Sequence, residues 1–368
     1  MNNCIGIINL DENESRMSEL VKNRPLASVP LAARYRIIDF VLSNMTNAGM
    51  DSIGIFTKNK SRSLVDHLTN GRPWDLHRKK HGLRVFNFGD KDPQYDDMYN
   101  FADNIEFLTK SRKEYVVIAP SYMICNIDYK ELIKYHREQD NDITIVYKNI
   151  ADGNSNFIEC DVLNILENGI VKGIGKNIGR EPNLNISMEM YVLRTDLLIE
   201  MIYECIRQGV YKKVKSYISS NLENLKVGSY KFDGYLSCVN SLRSYYKTNM
   251  DILIPEVYTE LFLGDRPIYT KSKDESPTHY AEKSIVKNSV IANGSYIEGT
   301  VENCIIGRRV YVAPGAVVKN WVIMQETVIG NDAKIDRVIA DKASVIREDE
   351  KVIGLKMYPV VIKKSTLL

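Results

Sequence analysis

From Ile285 onward, large apolar residues, nearly all branched, recur every six positions. Ile285, Ile291 and Ile297 begin the series, Ile306, Val312, Val318 and Met324 resume it after a three-residue slip, and Ile329 and Ile335 follow a one-residue slip. Four positions after the anchors stand small or β-branched residues: Ser289, Ser295 and Val301, then Val310, Ala316, Val322 and Val328. A strand in an ordinary sheet alternates every two residues, so this period does not describe one. A hexapeptide period describes short parallel strands stacked as a solenoid, with each anchor pointing into a narrow core and each small residue fitting a corner. The repeat predicts a left-handed parallel β-helix over 281–368.

The preceding two-thirds of the chain follows a different rule. Short apolar runs (Cys4–Leu10, Ser52–Thr57, Leu83–Phe88, Tyr115–Ala119, Asp142–Tyr147) alternate with helical patterns at Ser61–Leu68, Asp97–Leu108 and Tyr129–Gln139. That alternation predicts an α/β domain on a mostly parallel sheet, Rossmann-like in its layering. Glu167-Asn168-Gly169 between two apolar runs signals a hairpin, Thr195–Arg207 and Ser241–Met250 read as helices, and Ser241 suits an N-cap. The proline-bearing stretch 264–280 reads as a connection. The expected domains are therefore 1–263, a linker over 264–280, and 281–368.

Lys and Arg total 49 against 47 Asp and Glu, a formal net charge of +2, which gives no reason to expect a nucleic-acid partner. The opening residues carry no basic flank, no apolar run approaches a membrane span, and the six cysteines are widely spaced with no CxxC pair. A reducing cytoplasm, without a membrane or a cysteine-bound metal, is the expectation.

Parallel sheets bind ligands beyond the C-terminal ends of their strands, so the loop after Leu10 is the first place to look for phosphate chemistry. It reads Asp11-Glu12-Asn13-Glu14-Ser15-Arg16-Met17 and contains no glycine. The string that follows, from Arg24-Pro25-Leu26 through Ala32-Ala33-Arg34-Tyr35-Arg36-Ile37-Ile38-Asp39-Phe40, resembles the RAKPAVPFGGKYRIIDF segment of bacterial glucose-1-phosphate adenylyltransferase, the ADP-glucose pyrophosphorylase. Leu42-Ser43-Asn44, Gly71-Arg72-Pro73-Trp74-Asp75 and Phe232-Asp233-Gly234-Tyr235 extend the resemblance, and the β-helix tail carries it over nearly the whole chain. In that family glucose 1-phosphate attacks the α-phosphate of ATP, and the charge is met by a glycine-rich loop, basic side chains and Mg²⁺ on two aspartates. The resemblance implies a GT-A-like nucleotidyltransferase domain followed by the β-helix.

Each catalytic element is altered here. The glycine loop is acidic, the lysine of RAKPA is Leu26, both glycines of PFGG are Ala32 and Ala33, Tyr122 and Cys238 stand where the metal aspartates belong, and the EKP motif is Gly175-Lys176-Asn177. The changes resemble those of the noncatalytic GlgD-type subunits found beside the catalytic subunit in Gram-positive bacteria. They imply a regulatory subunit of a heterotetrameric glucose-1-phosphate adenylyltransferase in glycogen biosynthesis, with no cofactor on this chain and Mg²⁺ in the catalytic partner. The alternative is a weakly active sugar-phosphate nucleotidyltransferase using carboxylates such as Asp103 or Asp233.

Lys176 is the candidate for sugar-phosphate binding, against a plain solvated hairpin lysine. By resemblance Arg24 and Arg36 belong to a region that binds phosphorylated metabolite effectors, with Arg337 and Lys342 of the β-helix as candidate completions and Arg308-Arg309 and Lys334 beside them. The structural alternatives are that Arg36 pairs with Asp39 at a helix end, that the β-helix cations form a solvated face, and that Cys238 is a buried thiol. Residues 281–368 contain no histidine, against an acyltransferase whose base is a β-helix histidine.

Overall fold

The computed structural model describes residues 3–58, 60–78, 80–87, 96–210, 212–355 and 358–368. They divide into two compact units. The first comprises Met1–Glu12, Phe40–Ser237 and Arg266–Tyr269, and the second comprises Asn13–Asp39, Cys238–Asp265 and Thr270–Leu368. These bounds cut across the expected 1–263 and 281–368. Side chains explain why a piece of the expected linker belongs to the first unit: Ser43 Oγ accepts the Tyr269 N–H at 2.8 Å, and the amides of Asn47 and Asn126 donate to the Pro267 and Arg266 carbonyls at 3.0 and 2.9 Å.

The first unit is built on a nine-stranded sheet. Its strands are β1 (Cys4–Leu10), β2 (Ser52–Thr57), β3 (Gly82–Asn87), β4 (Tyr115–Ala119), β5 (Ile143–Ile150), β6 (Asp161–Ile165), β7 (Val171–Lys176), β8 (Leu184–Arg194) and β9 (Val227–Lys231). The main path runs β7-β6-β8-β4-β1-β2-β3, with β5 pairing both β8 and β9. β1 is parallel to β2 and β4 and lies among them almost wholly buried, which is what a strand apolar on both faces does. β8 is antiparallel to β4, β5 and β6. The β6–β7 hairpin turns at the expected Asn168-Gly169, where Gly169 has φ +82°. The expected helix over Asp97–Leu108 is two helices, Asp97–Asp103 and Ile105–Ser111, because Asn104 leaves helical φ/ψ and turns its amide back to the Asn100 carbonyl. The expected strand end Phe88 lies outside the described residues.

In the second unit the hexapeptide region forms three five-stranded parallel sheets, the left-handed β-helix. Ile297, Val312, Ile329 and Ile346 line the core from one sheet, Val301, Val318 and Ile335 from the second, and Ile306, Ile323 and Ala340 from the third, with Trp321 buried among them. Two anchors move. Ile285 is 49% exposed, since Val286 is the residue in register with inward Val301, and Ile323 rather than Met324 points into the core. The helix Leu242–Asp251 begins at Ser241 with a capping box to Ser244.

Candidate functional site

The C-terminal end of β1 in the first unit is the expected phosphate position. It is occupied by the chain's own carboxylates. Glu12 accepts both the backbone N–H and the hydroxyl of Ser121, each at 2.7 Å, so it takes the donors that follow β4. Asp11 is ion-paired to both Lys58 and Lys213. Burial alone would raise the Asp11 pKa, but Lys213 and Lys58 together hold it below the usual carboxylate range. Asp97 lies close by; burial and the Asp11 charge push it up to about 6, although the Val214 N–H donates to it at 3.1 Å. An incoming polyphosphate would meet like charge, and the two lysines suited to it already hold a counter-ion.

Neither candidate metal-ligand position suits Mg²⁺. Tyr122 in the first unit and Cys238 in the second are 9% and 4% exposed, and a phenol and a thiol are poor ligands for a hard, oxygen-seeking cation. Among the described residues no group of three His, Cys, Asp or Glu side chains is placed to hold a metal. Asp233 is ion-paired to Lys231 at 2.8 Å. Asp128 caps the helix beginning at Tyr129, accepting from the Lys130 N–H.

In the second unit, Leu26 is fully buried and its N–H donates to Glu14. The paired two-residue strands Pro30–Leu31 and Tyr35–Arg36 turn over Ala32 and Ala33, which have φ values of +50° and +66°. This is backbone suited to glycine, now carrying Cβ atoms.

Lys176 ends β7 with its side chain exposed, beside a groove of about 750 Å³. Asn177 next to it is structural: its amide donates to the carbonyls of Gly153, Asn156 and Phe157.

The effector candidates separate. Arg24 is buried; its Nη2 lies 2.8 Å from Asp341 Oδ1 and its Nε donates to the Leu20 carbonyl at 2.9 Å. Arg337 pairs with Asp336. Lys342 is half-buried, and burial, then Arg36, then Arg24 push its ammonium down to about 7 against the pull of Asp341. Lys273 is lowered by burial and by Arg308, Arg309 and Arg36, and Arg308 by burial and Arg34. In the second unit Lys342 thus feels Arg36, Arg24 and Lys273, and Lys273 feels Arg36, Arg308 and Arg309, with Asp341 and Glu326 acting against them. Asp39 accepts the Arg36 backbone N–H at 2.9 Å, so the helix start is fixed through the main chain.

Sequence reasoning missed Lys273, which lay in the expected linker, and the pairing of Lys58 and Lys213 with Asp11. It also missed Lys215, held above its ordinary pKa by Glu189 and Asp161 despite burial. None of these carries a motif; the only signal was acidic residues in a loop expected to be glycine-rich.

Residues 14–157 match the nucleotidyl transferase family, and 276–358 match the GlmU-like C-terminal hexapeptide family. The glycogen biosynthesis protein GlgD of Bacillus subtilis (strain 168) is 35% identical over 99% of this chain and 96% of its own. The protein of the same name from Geobacillus stearothermophilus is 36% identical over 86% of this chain and 83% of its own. The glucose-1-phosphate adenylyltransferase of Fervidobacterium nodosum is 30% identical over 96% and 86% respectively. With one sequence kinship spanning both units and a nucleotidyltransferase sheet whose phosphate position is filled from within, the chain belongs to the glucose-1-phosphate adenylyltransferase family, on the side of its GlgD-type glycogen biosynthesis proteins.

Proposed function

We propose that this protein is a noncatalytic, regulatory subunit of a heteromeric glucose-1-phosphate adenylyltransferase, acting in cytoplasmic glycogen biosynthesis beside a catalytic subunit that converts ATP and glucose 1-phosphate to ADP-glucose and pyrophosphate. The observation that carries the reading is the pair of carboxylates after β1: Glu12 on Ser121 and Asp11 on Lys58 and Lys213. Phosphoryl transfer needs preorganised positive charge and N–H donors at that place, and losing one such donor typically costs ~10²–10³ in rate. Here several are lost together. Mg²⁺ chemistry then resides in the catalytic partner, and no step runs through a metal on this chain.

What this chain supplies instead is an anion-responsive cluster. Arg36 and Lys273 repel Lys342, and Arg308 and Arg36 repel Lys273; a phosphorylated metabolite relieves that repulsion while Asp341 keeps Arg24 anchored. An effector that binds the cluster more tightly in one conformation of the assembly shifts the assembly toward it.

The test is co-expression with the catalytic subunit of the same organism. The expected result is a co-purifying complex whose half-saturation for a phosphorylated effector differs from that of the catalytic subunit alone, together with no ADP-glucose formation by the isolated chain. EDTA-sensitive turnover by the isolated chain at a rate near that of the catalytic subunit would sink the proposal.

A further inference from the structure

One of the three β-helix sheets has an outer face unlike a solvated one. Along its strands Ile297, Val312, Ile329 and Ile346 point into the core, so the residue before each points out. Those outward residues stack in register as Tyr296, Tyr311, Val328 and Val345, with His279 at one end of the row and Leu367 at the other. Tyr296, Val328, Val345 and Leu367 are 47, 39, 37 and 57% exposed. A second β-helix sheet shows the ordinary outcome, since its outward positions include Lys287, Glu302, Lys319, Lys334, Asp336 and Lys351. A solenoid strand needs apolar residues only on its inner side. An unbroken aromatic and aliphatic row on the outer side is a surface that another molecule covers.

The order of the row says what covers it. His279, Tyr296 and Tyr311 form an aromatic half, the first two rings stacked at 4.2 Å, and Val328, Val345 and Leu367 form a slimmer aliphatic half. A second copy of this face, turned about a two-fold axis that lies along the strands midway between Tyr311 and Val328, sets a ring against an aliphatic side chain at every position. Both flanks follow the same order. On one edge Glu298 and Arg347 stand two positions after Tyr296 and Val345, with Ala313 and Gly330 between them. The Tyr311 hydroxyl donates to Glu298, whereas Arg347 is exposed and has no ion-pair partner among the described residues. The two-fold puts Glu298 opposite Arg347 of the second copy, and lets Ala313 and Gly330 approach closely. On the other edge Arg309 and Glu326, ion-paired within the chain, stand two positions before Tyr311 and Val328. The same rotation lays that pair across an identical pair with the signs reversed. A two-fold along the β-helix axis would instead set Arg309 against Ala313 and Glu326 against Gly330, and would answer no charge.

We infer that two copies of this chain pair antiparallel through this face, in an isologous contact centred between Tyr311 and Val328. A face of six rows, roughly 24 Å long, lies at the low end of specific interfaces, so a dissociation constant of about 10–100 μM is expected. The contact is of this chain with itself and does not depend on a catalytic subunit binding elsewhere.

Sedimentation velocity of the full chain from about 1 to 300 μM measures the pairing, with circular dichroism confirming the fold of each variant. Val328→Glu places a charge at the centre of the face and should abolish the dimer. Glu298→Arg and Arg347→Glu each turn two attractive contacts into repulsive ones and should raise the dissociation constant about fivefold to tenfold. The double variant Glu298→Arg/Arg347→Glu should return to within about threefold of the parent. Within one chain the two residues are three rows apart, roughly 14 Å, so such recovery reports a contact between copies. A dimer untouched by Val328→Glu, or a double variant that recovers nothing, overturns the inference. A parent that stays monomeric also overturns it, and if its Val328→Glu variant then loses a co-expressed catalytic subunit, the face belongs to that partner instead.

Discussion

Replacing Asp341 with Ala should uncover how much of the second unit is held by one buried pair. Arg24 and Asp341 have side chains 6% exposed, 2.8 Å apart, and the same Asp341 oxygen accepts the Lys342 N–H at 2.7 Å. Removing the carboxylate leaves the Arg24 guanidinium buried with the Leu20 carbonyl and Met324 Sδ as its remaining contacts and with Lys342 repelling it. Breaking such a pair from one side costs roughly 3–5 kcal/mol. At about 2–4 °C per kcal/mol for a body of this size, the melting temperature should fall by roughly 6–20 °C. Trp321, buried in the β-helix core, reports the transition in a Trp74→Phe background shared by all variants. Sulfate should restore part of the loss, since an anion can stand in for the carboxylate, and Arg24→Met/Asp341→Leu should come within about 1 kcal/mol of the parent. The reasoning is refuted if Asp341→Ala costs less than about 1 kcal/mol, the scale of a solvated surface pair. It is equally refuted if the double variant is as unstable as the single one.

Lys342 makes stability pH-dependent in a defined direction. Folding lowers its pKa from 10.5 to about 7, so between those values the unfolded chain binds one proton more and stability rises with pH; Lys342→Met should flatten that part of a Tm-versus-pH curve. Anion binding draws on the protonated form, so sulfate affinity measured by calorimetry should weaken above about pH 7 in the parent and not in the variant. Asp11→Asn should cost about 1 kcal/mol in urea unfolding at neutral pH, given the solvent around Lys58 and Lys213, and the difference should vanish as pH drops through the lowered Asp11 pKa. The same variant should gain tripolyphosphate binding that the parent lacks, and a titration showing none would clear Asp11 of blocking the site. Ala33→Gly, which relieves a side chain at φ +66°, should stabilise by up to about 1 kcal/mol in denaturant titration.

Much of the architecture was legible because it is periodic. The six-residue repeat located the β-helix, and Asn168-Gly169 and Ser241 marked a hairpin and a helix start where the structure has them. The errors of register at Ile285 and Met324 share a cause: each has a branched apolar neighbour, Val286 and Ile323, and a strict six-residue count passes over the one-residue shift that puts the neighbour in the inward slot. The departures from the family's motifs were legible residue by residue in the sequence itself. What replaced them was not, because Lys213 reaches Asp11 and Lys342 feels Arg36 only once distant segments are brought together, and electrostatic partnership leaves no spacing in a sequence. Nor could spacing reveal that Arg24, in the best-matched string, spends its guanidinium on Asp341.

The second unit draws its first residues from Asn13–Asp39 and its last from the end of the β-helix, and Arg24 waits for a partner 317 positions away. At roughly 5–20 residues per second of synthesis, that wait is on the order of 15–60 s. Until the hexapeptide coils emerge from the ribosome, the nascent segment around Leu26 has only part of its own unit to pack against and a guanidinium without its carboxylate. The two ends of the message are thus coupled in time: a pause or premature stop anywhere in the repeat region leaves an unmatched, partly apolar segment near the N-terminus, exposed to chaperones and proteases for as long as the pause lasts.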